Sequence, residues 1–317
     1  MISRDIQAAK KILESNELVS IPTETVYGLA GNAFQEEAVK KIYALKNRPL
    51  YNPLIVHIKS IDYLSEVATD IPEVAYDLAK EFWPGPLTMV LQKKSNIPDL
   101  VTSKKDTVAV RMPNHPLTLK LLEAIDFPLV APSANPFGSI SPTTAEHVDR
   151  YFKDDLKMVL DGGPCERGIE STIIGFEHGK PVIYRLGSLA IEDIEKKTGP
   201  LFTKNNNDSS PQAPGMLSRH YAPVTETILT EDIKNAIENY KGKKIGVLVF
   251  KDQQDIGSVD HTEILSKTGD LKEAAKNLYA AMHRLDHAEL DVIIAEKLPD
   301  SGIGTTLNDK LRRATKK

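Results

Sequence analysis

Ile6, Ala9 and Leu13 recur at helical spacing ahead of a short apolar run, Leu18-Val19-Ser20-Ile21, that predicts a buried strand. Pro22 closes that strand, because proline cannot donate the next ladder hydrogen bond. A polar turn follows, Thr23-Glu24-Thr25-Val26-Tyr27-Gly28-Leu29, and then a helical face of Ala38, Ile42 and Leu45 that Pro49 terminates. Residues 50–58 predict a second buried strand, and helices are expected around Tyr63 and over 74–82. Beyond the break at Pro84-Gly85-Pro86, residues 87–91 and 107–111 are strand-like, separated by a polar stretch read as a loop. A helix over 117–125 leads to a brief strand at 128–132 and the small-residue run 133–141, where the backbone can approach a ligand closely. A helix bearing Ala145, Val148 and Phe152 and strands at 158–160, 172–174 and 182–184 complete this region.

Lys204-Asn205-Asn206-Asn207-Asp208-Ser209-Ser210-Pro211 then has linker composition. The pattern afterwards is more regular: strands at 225–229, 245–250 and 292–295, with helices at 233–240 and 271–285 between them. The expected fold is therefore α/β in two parts. An open, twisted sheet of mixed direction occupies 1–200, a linker or lid 201–223, and a smaller three-layer, mostly parallel, Rossmann-like domain 224–317.

Composition narrows the function. A content of 41% hydrophobic and 26% charged residues describes an ordinary globular protein. No apolar run reaches the length of a membrane span and the N-terminus leads straight into a helical pattern, so no membrane association and a cytoplasmic location are expected. The formal charge of −4 argues against a polycationic nucleic-acid binder, leaving any RNA contact local. Lys310, Arg312, Arg313, Lys316 and Lys317 form the one dense basic cluster and are read as a solvated last helical turn. The single cysteine, Cys165, excludes an intramolecular disulfide and a cysteine-based zinc site.

The chemistry concentrates between residues 18 and 57. Hydroxyls and a carboxylate lie where a strand empties into a loop, the place where open α/β sheets bind ligands. Lys46 and Arg48 stand at a helix end, either complementing its dipole or facing an anion, and the next strand delivers Asn52 and His57 beside them. Glu24 can act as a base or order its own turn. Arg111, at the end of its strand, suits a carboxylate held bidentately, or a surface ion pair. No Walker-type phosphate loop is present, and Gly302-Ile303-Gly304-Thr305-Thr306 reads as a helix start more readily than as a phosphate-binding turn.

The ordered series Pro22-Thr23-Glu24-Thr25-Val26-Tyr27-Gly28-Leu29, Lys46-x-Arg48-Pro49, Asn52-Pro53-Leu54, Pro84-Gly85-Pro86-Leu87-Thr88, Arg111-Met112-Pro113 and Ser133-Ala134-Asn135 resembles a YrdC-like domain. It continues through Asp161-Gly162-Gly163, Glu170-Ser171-Thr172-Ile173, Arg185-x-Gly187, Pro214-Gly215-Met216, His220-Tyr221-Ala222-Pro223 and the run 308–314. Over nearly the whole chain the series is similar to the long, two-domain form of threonylcarbamoyl-adenylate synthase. The resemblance implies ATP, L-threonine and bicarbonate as substrates, Mg2+ arriving with ATP, and a product passed to the machinery that transfers threonylcarbamoyl to tRNA, with direct RNA binding weak or absent. It places Thr25, His57, Arg111, Ala131 (through its backbone) and Ser171 against L-threonine. Arg48, Asn52, Thr107, Ser133, Ser141 and Arg185 fall at nucleotide-contacting positions, Lys46 is placed for the triphosphate, and Tyr221 would reach over the nucleotide. No catalytic base or nucleophile is assigned, and the sequence assigns the second domain no legible role.

Two competing readings stand beside this one. Carbamoyltransferases of hydrogenase maturation share a YrdC-like module but carry cysteine-rich zinc elements, which a chain with one cysteine lacks. A non-catalytic RNA-binding module would bind tRNA in a salt-dependent way without ATP turnover. The later half of the linker, 211–223, combines stiff prolines with Met216, Leu217 and Tyr221; it is expected to dock on the first domain as a lid, or else to pack between domains.

Overall fold

The computed structural model describes residues 1–204, 213–216, 220–252 and 256–316. Its first part is a twelve-stranded sheet of mixed direction. From one edge the path runs Ile2–Ser3, Met158–Leu160, Val19–Ile21, Gly28–Asn32, Leu129–Val130, Ile55–His57, Thr107–Arg111, Leu87–Lys93, Thr172–Glu177, Lys180–Arg185 and Phe202–Thr203. Ala68–Thr69 pairs beside Leu87–Lys93. Val19–Ile21 and Gly28–Asn32 are antiparallel, whereas Ile55–His57 runs parallel to Thr107–Arg111, in a register that sets His57 opposite Arg111. One register position thus brings an imidazole and a guanidinium to the same sheet edge.

Most helices lie where the periodicity places them, since burying an apolar stripe decides both position and length. Glu73–Phe82, Pro116–Ala124 and Ala145–Phe152 each turn their apolar residues to the sheet. Several elements differ from expectation. Gly28–Asn32 is a fully buried strand, although its sequence, Gly-Leu-Ala-Gly-Asn, has no β-branched residue; its neighbours on both sides impose the extended form. Inside the expected polar loop, Asp99–Thr102 forms one helical turn. Ile191–Thr198 is a helix with a single buried residue, Ile194, and His261–Ile264 is a strand taken up by sheet pairing.

The second part is a four-stranded, all-parallel sheet in the order Glu226–Thr230, Val292–Glu296, Ile245–Val249, His261–Ile264, flanked by helices Ile233–Asn239, Leu271–Asp286 and Ile303–Ala314. Its core is shared with the first part: Val26, Ile140, Ile169 and Tyr221 pack in one cluster with Leu278, Tyr279, Met282 and Leu311. The close approach depends on Gly168, at φ 74°, where an added Cβ would lie 2.3 Å from the Lys276 carbonyl oxygen. The expected solvated basic turn is therefore corrected. On the helix Ile303–Ala314, Arg312 is exposed, but Lys310 and Arg313 face this seam and retain only 1% and 4% of their exposure. No helix among the described residues is long and apolar enough to cross a membrane.

Candidate active site

Strand ends and loops of the first part meet the linker around a cavity enclosing about 570 Å³ of empty space, part of it open to solvent. The turn after Val19–Ile21 forms one wall. Thr23 Oγ1 donates to the Val26 carbonyl at 2.6 Å, so in its 2.8 Å contact with Thr25 the hydroxyl of Thr25 is the donor. That commits the Thr25 proton and leaves its oxygen lone pairs for a donor in the cavity.

Arg111 lies across from this turn. Its Nη2 is 2.7 Å from Glu24 Oε1, and its Nε donates to the Gly85 carbonyl at 3.2 Å. Glu24 Oε2 in turn accepts the backbone N–H of Asn114 at 3.0 Å. Glu24 therefore orders Arg111 and the chain after it; both groups are buried, so this is an ion pair shielded from water and not the surface pair considered above. Next to it His57 Nδ1 lies 3.2 Å from the Ile55 carbonyl. Burial first, and then the Arg111 charge, push its pKa down to about 3, so His57 presents a neutral ring.

The opposite wall is cationic. Arg185 donates from Nε and Nη2 to the Ser171 carbonyl (3.1 and 2.8 Å), from Nη2 to Ser171 Oγ at 3.0 Å, and from Nη1 to the Pro214 carbonyl at 3.2 Å. Ser171 Oγ also meets Thr88 Oγ1 at 2.7 Å. Arg48 is tied to its own loop through Asn52 O, Asn52 Oδ1 and Pro53 O at 3.0, 2.8 and 2.7 Å. Burial lowers its pKa to about 10, which still leaves it charged at neutral pH.

Thr25, His57, Arg111, Ala131, Ser171, Arg48, Ser133, Arg185 and Tyr221 all line the cavity. Four other expected residues do not. Asn52 stands behind Arg48 and orients it, and Ser141 donates to Glu170 Oε1 at 2.6 Å, so each acts on a lining residue. Thr107 begins the strand whose far end carries Arg111, pairing with Gln92 away from the cavity. Lys46 Nζ points into the loop, donating to the carbonyls of Ser133 at 2.6 Å and of Asn135. Phe137 N–H closes on the Lys46 carbonyl at 2.7 Å. Burial, reinforced by Arg48, drives the Lys46 pKa well down, and its contacts in this structure fasten the 133–137 loop.

Sequence reasoning missed Glu170, His220 and Thr23 as lining residues. Glu170 was visible only as a member of a motif. In the fold it accepts from Ser141 and, at 2.9 Å, from the Tyr279 hydroxyl of the second domain. Cys165 is buried and its thiol is pushed well up by burial, so it supplies no nucleophile.

The linker's described residues close the cavity. Ala213 and Met216 pack with Ile55, Val90, Ala109, Ile173 and Tyr184, and Ala222 N–H donates to the Gly138 carbonyl at 2.8 Å. The expected linker run 205–211, like Leu217, lies outside the described residues.

Two family models match in succession. One, for the Sua5/YciO/YrdC group and described as telomere recombination, covers residues 11–187; the other, described as the threonylcarbamoyl-AMP synthase C-terminal domain, covers 189–315. Threonylcarbamoyl-AMP synthase of Pyrococcus abyssi is 42% identical over 98% of this chain and 94% of its own length. The Bacillus subtilis protein of the same name is 40% identical over 98% and 92%. The crystal structure of P. abyssi Sua5 complexed with L-threonine superposes with a TM-score of 0.93 at 40% identity, covering 99% of this chain and 96% of that one. With both models matched end to end and the fold shared across both parts, this chain belongs to the threonylcarbamoyl-AMP synthase family in its two-domain, Sua5 form.

Proposed function

We propose that the cavity joins ATP, L-threonine and bicarbonate into threonylcarbamoyl-adenylate, releasing diphosphate and water, as a nucleotidyltransferase. The observation that carries this reading is charge. Three arginines, Arg48, Arg111 and Arg185, line one cavity; its lining carboxylate, Glu170, is met by Lys310, and Glu24, behind the wall, by Arg111. Such a wall suits a site that gathers a triphosphate, a carboxylate and a carbamate at once. Arg111 would take the threonine carboxylate and the Thr25 oxygen its amine, with His57 and Ser171 bounding the side chain. Arg48 and Arg185 would meet the nucleotide, so that the carbamate oxygen attacks the α-phosphorus and diphosphate leaves. Catalysis would then rest on positioning and neutralisation, without a covalent enzyme intermediate.

Mg2+ would enter with ATP as part of the substrate, held by phosphate oxygens. The product would pass to the machinery that modifies tRNA, and direct RNA binding is no part of this reading; we place the reaction in the cytoplasm. The test is diphosphate release by the purified chain. It is expected only when threonine and bicarbonate are both supplied, because the carbamate must exist before it can attack. Release that is indifferent to threonine would remove the reaction.

A further inference from the structure

One ammonium from the second domain meets two lining residues of the cavity. Lys310 Nζ donates to the Tyr221 hydroxyl oxygen at 3.0 Å, stands 4.4 Å from the centre of its ring, and lies 3.5 Å from Glu170 Oε2. Lys310 itself does not line the cavity; Tyr221 and Glu170 do. Tyr221 has a φ of 65°, in the left-handed region, a conformation that persists in a non-glycine residue only where its surroundings over-determine it. Those surroundings include, beside the neighbouring His220 ring at 4.1 Å, Lys310, the Arg313 guanidinium 5.0 Å from the ring centre, and Tyr279 stacked at 5.6 Å, the last three from the second domain.

We propose that Lys310 is a positioning residue for adenylate formation: it sets the hydroxyl of Tyr221 at the cavity and neutralises the carboxylate of Glu170 in its wall. The proposal rests on the function proposed above and gives the C-terminal domain a part in it. A packing role alone would not require a charge, since burying an ammonium is costly unless its partners need it. Here the partners do. Glu170 is faced by the Ser141 and Tyr279 hydroxyls, by Arg185 from the neighbouring strand, and by Lys310. Burial opposes its ionisation, but Lys310, Arg185 and the Ser141 bond outweigh burial and hold its pKa below the usual value. Without Lys310 that pKa rises. The protonated carboxyl then competes as a donor with the hydroxyls of Ser141 and Tyr279, which now donate to it.

The experiment compares the full chain with Lys310→Met, Lys310→Arg and Tyr221→Phe, following diphosphate release against pH and ATP affinity by calorimetry. Lys310→Met is expected to lower kcat/KM about tenfold or more, the loss typical of one charged hydrogen bond, and to move the acid limb of the profile to higher pH. Lys310→Arg should restore most of the rate and the position of the limb. Tyr221→Phe should lower the rate without moving the limb. A folded Lys310→Met protein with the parent's rate and profile overturns the proposal. So does an unfolded Lys310→Met protein beside a Tyr221→Phe protein of parental rate, since Lys310 would then act only in folding. A parent chain that releases no diphosphate would instead refute the function proposed above, and ATP affinity across the variants would still read the positioning.

Discussion

At the scale of single residues the site depends on charges that are paired before any ligand arrives. Glu24 and Arg111 form an ion pair away from water, so Arg111 is already oriented and its bond to Gly85 fixes the guanidinium plane. Removing one partner of such a pair costs about 2 to 5 kcal/mol. Arg111→Ala is therefore expected to weaken threonine binding by at least about thirtyfold while ATP affinity changes little. Calorimetry with each ligand in turn measures this, and equal loss of both would assign Arg111 to folding. Lys46 is held differently: its Nζ donates to loop carbonyls, so a residue of the motif also fastens the backbone that displays Ser133.

Among the elements, the strands Thr172–Glu177 and Lys180–Arg185 carry Ser171 and Arg185 to the cavity, and the chain after them returns against its own start. Gly187 makes that return possible. A Cβ there would lie 2.2 Å from both Ser171 C and Thr172 N, and backbone atoms cannot yield as a flexible side-chain tip would. Gly187→Ala should destabilise the chain by about 1 to 3 kcal/mol and lower ATP affinity, because the displaced Ser171 carbonyl is where Arg185 is anchored. Urea midpoints beside ATP titrations test this. Parental affinity in a destabilised variant would detach the turn from the nucleotide site.

On the scale of the whole molecule the two sheets share one apolar seam, and a pair of imidazoles crosses it. His147, on Ala145–Phe152, stacks on His283, on Leu271–Asp286, with ring centres 3.9 Å apart, and His283 Nε2 lies 3.2 Å from the Ser141 carbonyl. Burial pushes His147 down to about 4 and His283 to about 3 from 6.5; Arg150 adds to the first, and repulsion from a second charge on the stacked His147 ring adds to the second. Between pH 6.5 and those values the unfolded chain binds more protons than the folded one. The stability these groups contribute is thus complete above pH 6.5 and is lost as the pH falls toward 4. His283→Gln keeps a donor for Ser141 and removes one titration, so its urea midpoint should fall less steeply over this range than the parent's. Parallel slopes would show that the pair does not govern the acid response.

What the sequence determined by itself is the local order. Strands with apolar runs, helices with one apolar stripe and the turns at Pro22 and Pro49 follow from periodicity and from backbone chemistry that needs no distant partner. The motif series also placed nine lining residues, because residues at strand ends share an edge wherever the sheet forms. Tertiary structure decided whatever depends on a partner far along the chain. Gly28–Asn32 is extended because strands on both sides pair with it, which no local propensity encodes. Lys46 and Lys310 look alike in sequence, as cations near helix ends. Only the fold turns one onto the carbonyls of a loop 87 residues away and sets the other beside Glu170 and, 89 residues away, Tyr221. Burial makes those assignments, since an ammonium withdrawn from water must take the partners that packing brings to it.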